Sequence, residues 1–444
     1  MGQLTEAAAV RRLGDRLGFG LAGPALAGAQ QRGFVATLTS YLHPTGADAG
    51  AAQTPPPELP WILRPGGMGG GKPSQEERQA WRQQMRGQQA ELVLWWLDRM
   101  VRADQQLRER ITWFWHGHFA TSSRKVKAAS LMLGQNQTLR RLGLDTFPAL
   151  ARAMIIDPAM LVWLDGNDNT AKAPNENLSR EFMELFTLGP GGYSEVDVKQ
   201  AARALTGWRV TRTDGSPVLR PRLQDATSKH ILGRDGDFDA LSFVDLVIGQ
   251  PACANFVISR VWFRLVSMTP PSAAAMARLR RAYGAQGDLR SLLAAIAKEP
   301  AFLDSASSMV KQPVEWAVGL MRALAVRPSE LSDKQGRHLT ASLRGMGQLP
   351  FLPPSVGGWP AGGGWLTTAA ALSRVEAARL LAQQATLPAE ASRTPTRQRV
   401  EYVRRLLGID RFSARSSAAI SQVADRLTLA IAVAACTPEY IVSD

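Results

Sequence analysis

Two cysteines in 444 residues, Cys253 and Cys436, leave no material for a disulfide framework or a cysteine zinc cluster. Both sit in apolar, helix-like surroundings (PACANF and AVAACTPEY), where a thiol behaves as a small buried hydrophobe. No stretch approaches the roughly 20 apolar residues that a helix needs to cross a bilayer. The opening MGQLTEAAAVRRLGDRLGFG also lacks the continuous apolar segment of a secretion signal. The expectation is a soluble chain, cytoplasmic, or periplasmic through a co-exported partner. Missing too are the G-x-S-x-G elbow, the Walker A loop, the H-E-x-x-H helix and the dinucleotide fingerprint, which removes the commonest hydrolases, nucleotidases, zincins and nicotinamide enzymes.

What is present is enough apolar material for a large core: hydrophobic residues make up 45%. The charged residues, 20%, are spread along the chain rather than gathered in a tail. Lys and Arg outnumber Asp and Glu by 52 to 38, a net charge of +14, so an anionic partner has to be considered. The densest basic stretch, Arg124, Lys125 and Lys127, is short and lacks interleaved aromatic residues. That favours a solvated, arginine-rich surface over a nucleic-acid groove.

Helical periodicity dominates. The pattern predicts an all-α chain, a bundle-like single body of many helices with a small β-hairpin excursion. Residues 1–43 read as N-terminal helices, 44–73 as a Pro/Gly-rich linker or loop, and 74–444 as the main helical domain. Ser74 and Glu77 form a capping-box pattern that opens a long helix to Met100, with Leu92, Trp95 and Trp96 facing inward. In WRVTRTDGSPVLRPRL, Asp214-Gly215 lies between β-capable runs, a hairpin signal at about 208–232. The Gly/Pro/Trp segment at 350–365 interrupts the later helices.

Seven strings follow one another along the chain: RLGFG, FWHGHFATS, DPAMLVWLDG, PNENLSREFMELFTLG, YSEVDVKQAARALTGW, KQPVEW and FLPPSVGGWPAGGGWL. Together they resemble the bacterial domain-of-unknown-function 1800 family. The resemblance implies a mostly helical protein, often encoded beside a sulfatase-like protein of the domain-of-unknown-function 1501 family that commonly carries an export signal. It also marks departures. The family often has HNHF where Gly117 stands, a His-Asp pair where this chain has Gln224 and Asp225, and in some relatives His in place of Phe186. If the family's activity needs those imidazoles, this member is altered.

The most chemically loaded segment runs from Asp165 to Glu184. Asp165, Asn167, Asn169 and Glu176 occupy positions 1, 3, 5 and 12 of a loop between two predicted helices, the oxygen-ligand spacing of a calcium loop. Position 6 is Thr170 rather than the turning glycine, and Pro174 stiffens the remainder. The plainer alternative is a polar loop whose Asp and Asn side chains bond local backbone. Next, Asn177, Glu181 and Glu184 share a helix face, and paired carboxylates can raise one another's pKa for acid–base work or share a divalent metal. Against that, Arg180 lies four residues from both Glu176 and Glu184, the spacing of ordinary surface ion pairs.

His116 and His118 point about 200° apart on a continuous helix, so at most one can serve a given metal. His118 continues the stripe Leu107, Ile111, Phe114 and Trp115 into the core, where it can meet Glu181 and Glu184 or be satisfied as a core histidine. Trp208, Trp359 and Trp365, each after a glycine, either stack on a sugar ring or plug gaps. Two functions follow as expectations. One is a hydrolase-like enzyme, metal- or carboxylate-dependent, with Glu181 or Glu184 as general base and His118 as ligand or acid. The other is a non-catalytic scaffold for the sulfatase-like partner, any calcium being structural.

Overall fold

The computed structural model describes residues 2–62, 65 and 72–443 and is 61% helical, with only small two-stranded β pairings. Local signals account for many boundaries. Thr5 accepts from Ala8 N to open the Glu6–Leu17 helix. The Ser74/Glu77 capping box forms as expected at the head of Gln75–Arg102. Gly23–Leu42 bends at Gly33, whose φ of 80° favours a residue without a Cβ. The Ala129–Leu142 helix starts only after a turn in which Ser122 O accepts from Lys125 N and Val126 N, and Ser123 N donates to Phe351 O.

The single hairpin expected at 208–232 is two hairpins. Trp208–Val210 pairs with Pro217–Leu219 across the Asp214-Gly215 turn. A second, Lys229–Ile231 with Arg234–Gly236, closes through Leu232 and Gly233, both at positive φ as a tight two-residue turn requires. A third pairing, Met309–Val310 with Val442–Ser443, ties the end of the described chain to its middle.

Two hydrophobic cores meet at the Gln106–His118 helix. Phe114 and Trp115 belong to one, built with Phe147, Phe182, Phe186, Phe243 and Phe302. Trp113 belongs to the other, with Trp96, Trp316, Phe351, Trp359 and Trp365. The same helix carries the polar hub. Glu109, 1% exposed, accepts from Trp96 Nε1, from Arg99 Nε at 2.8 Å, and from Arg140 Nε and Nη2 at 2.6 and 2.9 Å. Arg99 also donates to Ala51 O and Thr54 O. Part of the expected 44–73 linker is thereby fastened to the long helix: Asp48 caps Ala49–Ala52, Leu59 is buried, and Gln88 donates to Pro60 O. Residues 63, 64 and 66–71 of that linker lie outside the described residues.

Candidate functional site

Chain direction between Asp165 and Tyr193 is set by two unusual backbone features. Asp165 itself adopts a left-handed conformation (φ 60°) just before the one-turn 3-10 helix Gly166–Asp168. Downstream, the Asn177–Glu181 helix widens into a π-helical stretch, Phe182–Thr187, in which Thr187 Oγ1 donates to Phe182 O at 2.6 Å. Such widenings are frequent at functional sites because they re-aim side chains that regular helical spacing would not place.

Each of the four side chains with calcium-loop spacing has a protein partner. The Asp165 carboxylate pairs with Lys125 Nζ at 2.5 Å and accepts from Asn177 Nδ2 at 3.3 Å. Asn167 Oδ1 accepts from Val210 N at 2.7 Å. Fully buried Asn169 donates to Ala202 O and accepts from Asn175 N, and Glu176 pairs with Arg180. These side chains stitch the loop to four separate segments: Lys125, the Asn177–Glu181 helix, Ala202 and Val210. Among the described residues, no group of three or more His, Cys, Asp or Glu side chains is gathered as a metal would need. Arg180 turns to Glu176 and Glu195 and leaves Glu184 to another partner.

That partner is Tyr193, whose hydroxyl donates to Glu184 Oε2 at 2.9 Å. Burial, then the hydrogen bond to Glu184, pushes the phenol up to about 12, so it stays a donor. Glu181 is half-buried; its carboxyl is raised first by that burial and then by the charge of Glu184. The two carboxylates expected to share a face therefore do interact, and a tyrosine fixes one of them. No spacing rule announces Tyr193, which lies beyond the loop Gly189–Gly192.

His118 reaches the same segment but meets its backbone. Its Nε2 lies 2.9 Å from Phe186 O and must donate there, which leaves a bare Nδ1 that is buried without a partner. Phe114, Trp115, Phe119, Phe147, Phe186 and Phe256 surround the ring. Burial in this cage pushes the imidazole down to about 3, and it stays neutral at ordinary pH. His116 faces the other core among Trp96, Trp113, Phe351 and Trp359, and burial pushes it too down to about 3. Its Nε2 accepts from Phe351 N at 3.0 Å, holding a left-handed residue (φ 64°) in place.

Trp359 and Trp365 are buried plugs, Trp359 stacking on Trp113 at 5.0 Å, while Trp208 is half-buried. Next to Gln224, Asp225 forms an ion pair with Arg203 at 2.7 Å, and Phe186 is a core ring. Among the described residues, two of the open grooves are of ligand size. One, about 600 Å³, lies against the loop and is lined by Asn167, Asp168, Arg209, Thr211, Arg212 and Arg220. The other, about 550 Å³, has an apolar floor including Leu429, Val433 and Cys436, with Val375, Arg379 and Arg415 also lining it.

A family model described as "Protein of unknown function (DUF1800)" covers residues 12–442. No curated protein and no solved structure matches.

Proposed function

The chain belongs to the DUF1800 family, and we propose that it is a hydrolase-like enzyme whose acid–base pair is Glu181 and Glu184. The observation that carries the reading is the asymmetry between the two carboxylates. Glu181 is half-buried with its proton affinity raised, while Glu184 accepts a hydrogen bond from Tyr193. Neighbouring titratable groups held in unlike environments divide into donor and acceptor roles. Glu181 delivers a proton to a leaving oxygen, and Glu184, oriented by Tyr193, activates water. The 600 Å³ groove lies against Asn167 and Asp168 rather than at the carboxylates, and its arginines favour an anionic ligand there.

The test uses the purified chain against chromogenic glycosides, carboxylic esters, phosphate esters and sulfate esters. Turnover of one class is expected, abolished in Glu181→Gln with thermal stability unchanged. Turnover of none, or an undiminished rate in Glu181→Gln, overturns the proposal.

A second reading, a scaffold for a sulfatase-like protein, is favoured by a different observation. Leu372 and Val375, one turn apart on the Thr368–Gln383 helix, are 66% and 46% exposed, and Val375 lines the 550 Å³ apolar groove. Continuous apolar surface of that kind marks binding faces. Alanine at both positions is expected to abolish co-purification with the sulfatase-like protein under this reading; unaltered recovery sinks it.

A further inference from the structure

Withdrawing a guanidinium from water without a counter-charge is costly, and one helix here partly buries two of them. In Pro251–Leu265, Arg260 and Arg264 stand one turn apart, with no acidic residue anywhere between Pro251 and Met268. Arg264 Nη1 and Nη2 donate to the carbonyls of Pro360 and Trp359 at 2.9 and 2.6 Å. Those contacts supply hydrogen bonds but no charge. Among the described residues neither arginine has a carboxylate within ion-pair distance, and Arg260 Nε is buried without a hydrogen-bond partner. Burial, and next the neighbouring charge of Arg260, lower the Arg264 pKa to about 10.

Arg264 also borders two adjoining cavities, of about 20 and 10 Å³, which share Arg110, Arg264 and Gln312 in their walls. The carboxylates of the larger one are already committed: Asp15 to Lys311 at 3.2 Å, and Glu315 to Arg110. Gln312 Oε1 accepts from Gln348, which leaves its Nε2 as an uncommitted donor. Of the two arginines that wall both cavities, Arg110 is paired with Glu315, and Arg264 has no carboxylate within ion-pair distance among the described residues.

We propose that the space between Arg110 and Arg264 binds one small inorganic anion of halide size. An anion there faces the guanidinium of Arg264, that of Arg110 beside its partner Glu315, and an amide donor, and its charge offsets that of half-buried Arg264. The enclosed space is of the order of a single water-sized particle, which favours a halide over phosphate or sulfate. The site lies between the two cores, next to Trp113 and Phe114, so its occupant bears on how they are joined.

The test begins with full-length protein in sodium gluconate, titrated with sodium bromide at constant ionic strength while thermal unfolding is followed. A saturating rise in melting temperature is expected. It should vanish in Arg264→Gln and persist in Arg281→Gln, an exposed arginine on another helix. Should Arg264→Gln fail to fold, anomalous scattering from bromide-soaked crystals of the unaltered protein decides, with a peak expected within hydrogen-bond reach of Arg264. No saturating response, an equal response in Arg264→Gln, an empty cavity in the anomalous map, or a larger Arg264-dependent response to sulfate than to bromide would each overturn the proposal.

Discussion

Acidification from about pH 7.5 to about pH 5 should cost this protein about 2 kcal/mol for each of its two core histidines. Burial lowers both His116 and His118 from 6.5 to about 3 in the folded state, whereas the unfolded chain titrates near 6.5. A depressed imidazole pKa means that the folded state binds fewer protons. The associated stability is therefore complete above about pH 6.5 and is lost as the pH falls toward about 3. At pH 5 the window covers 1.5 pH units below the unfolded pKa, and at 1.36 kcal/mol per unit this gives about 2 kcal/mol per ring. Carboxylates titrate over part of the same range, so the measurement is a difference. Urea midpoints of the unaltered protein, His116→Gln and His118→Gln are compared at both pH values by tryptophan fluorescence. Each variant should lose about 2 kcal/mol less on acidification. Equal acid sensitivity in all three would refute the neutral, caged state of these rings and reopen His118 as a titrating group.

Replacing Glu109 with Gln should destabilise by about 3–5 kcal/mol in urea unfolding, because it strips the charge that compensates buried Arg140 and partly buried Arg99. Asp157 points the other way. It accepts from Met160 N and Gln135 Nε2 while burial pushes its carboxyl up to about 7, so its ionisation costs stability as the pH rises through the interval from 3.8 to about 7. Asp157→Asn keeps an acceptor and removes the charge; its urea midpoint should exceed that of the unaltered protein near pH 8, with the gain fading below about pH 5. Among the glycines, Gly87 lies inside the long helix with nothing within 4 Å of an added Cβ, and Gly87→Ala should stabilise by up to about 1 kcal/mol. Gly358→Ala should destabilise by at least about 1 kcal/mol, since φ is +81° and the new Cβ would sit 2.2 Å from Gly117 O. Thermal melts of the two variants in parallel check both signs.

Features governed by local chemistry were legible in advance. Ser74 and Glu77 are three residues apart and cap their helix whatever else the chain does. His116 and His118 diverge because helical geometry gives them no choice, and the divergence is what sends one ring into each core. Family membership was legible as well, because it rests on ordered strings of residues along most of the chain. Features with no standard local signal, or that depend on distant partners, were hidden. The Lys229–Gly236 hairpin turns on Leu232 and Gly233 rather than on an Asn-Gly or Asp-Gly pair, and Lys229 is buried in a strand because Asp225 O and Thr227 O take its ammonium. Proline and glycine made 44–73 read as a linker, yet Arg99 and Trp95, far along the chain, bond the carbonyls at its start.

The candidate site divides along the same line, and the division bears on its chemistry. The stripe Asn177, Glu181 and Glu184 follows from helical spacing, but what differentiates its members does not. Regular spacing alone would leave Glu181 and Glu184 as two similar surface carboxylates balanced by Arg180. Instead Arg180 is drawn off to Glu195, the helix widens from Phe182, and Tyr193 returns from the next loop to hold Glu184. Removing the tyrosine hydroxyl therefore tests the site more finely than removing a carboxylate. Tyr193→Phe takes away one donor and leaves both acids in place. If Glu184 acts as general base and Tyr193 holds it in position, kcat falls in Tyr193→Phe while Glu181→Gln still abolishes turnover. If the tyrosine only packs, kcat stays where it was, and the roles assigned to the two carboxylates would have to be given up.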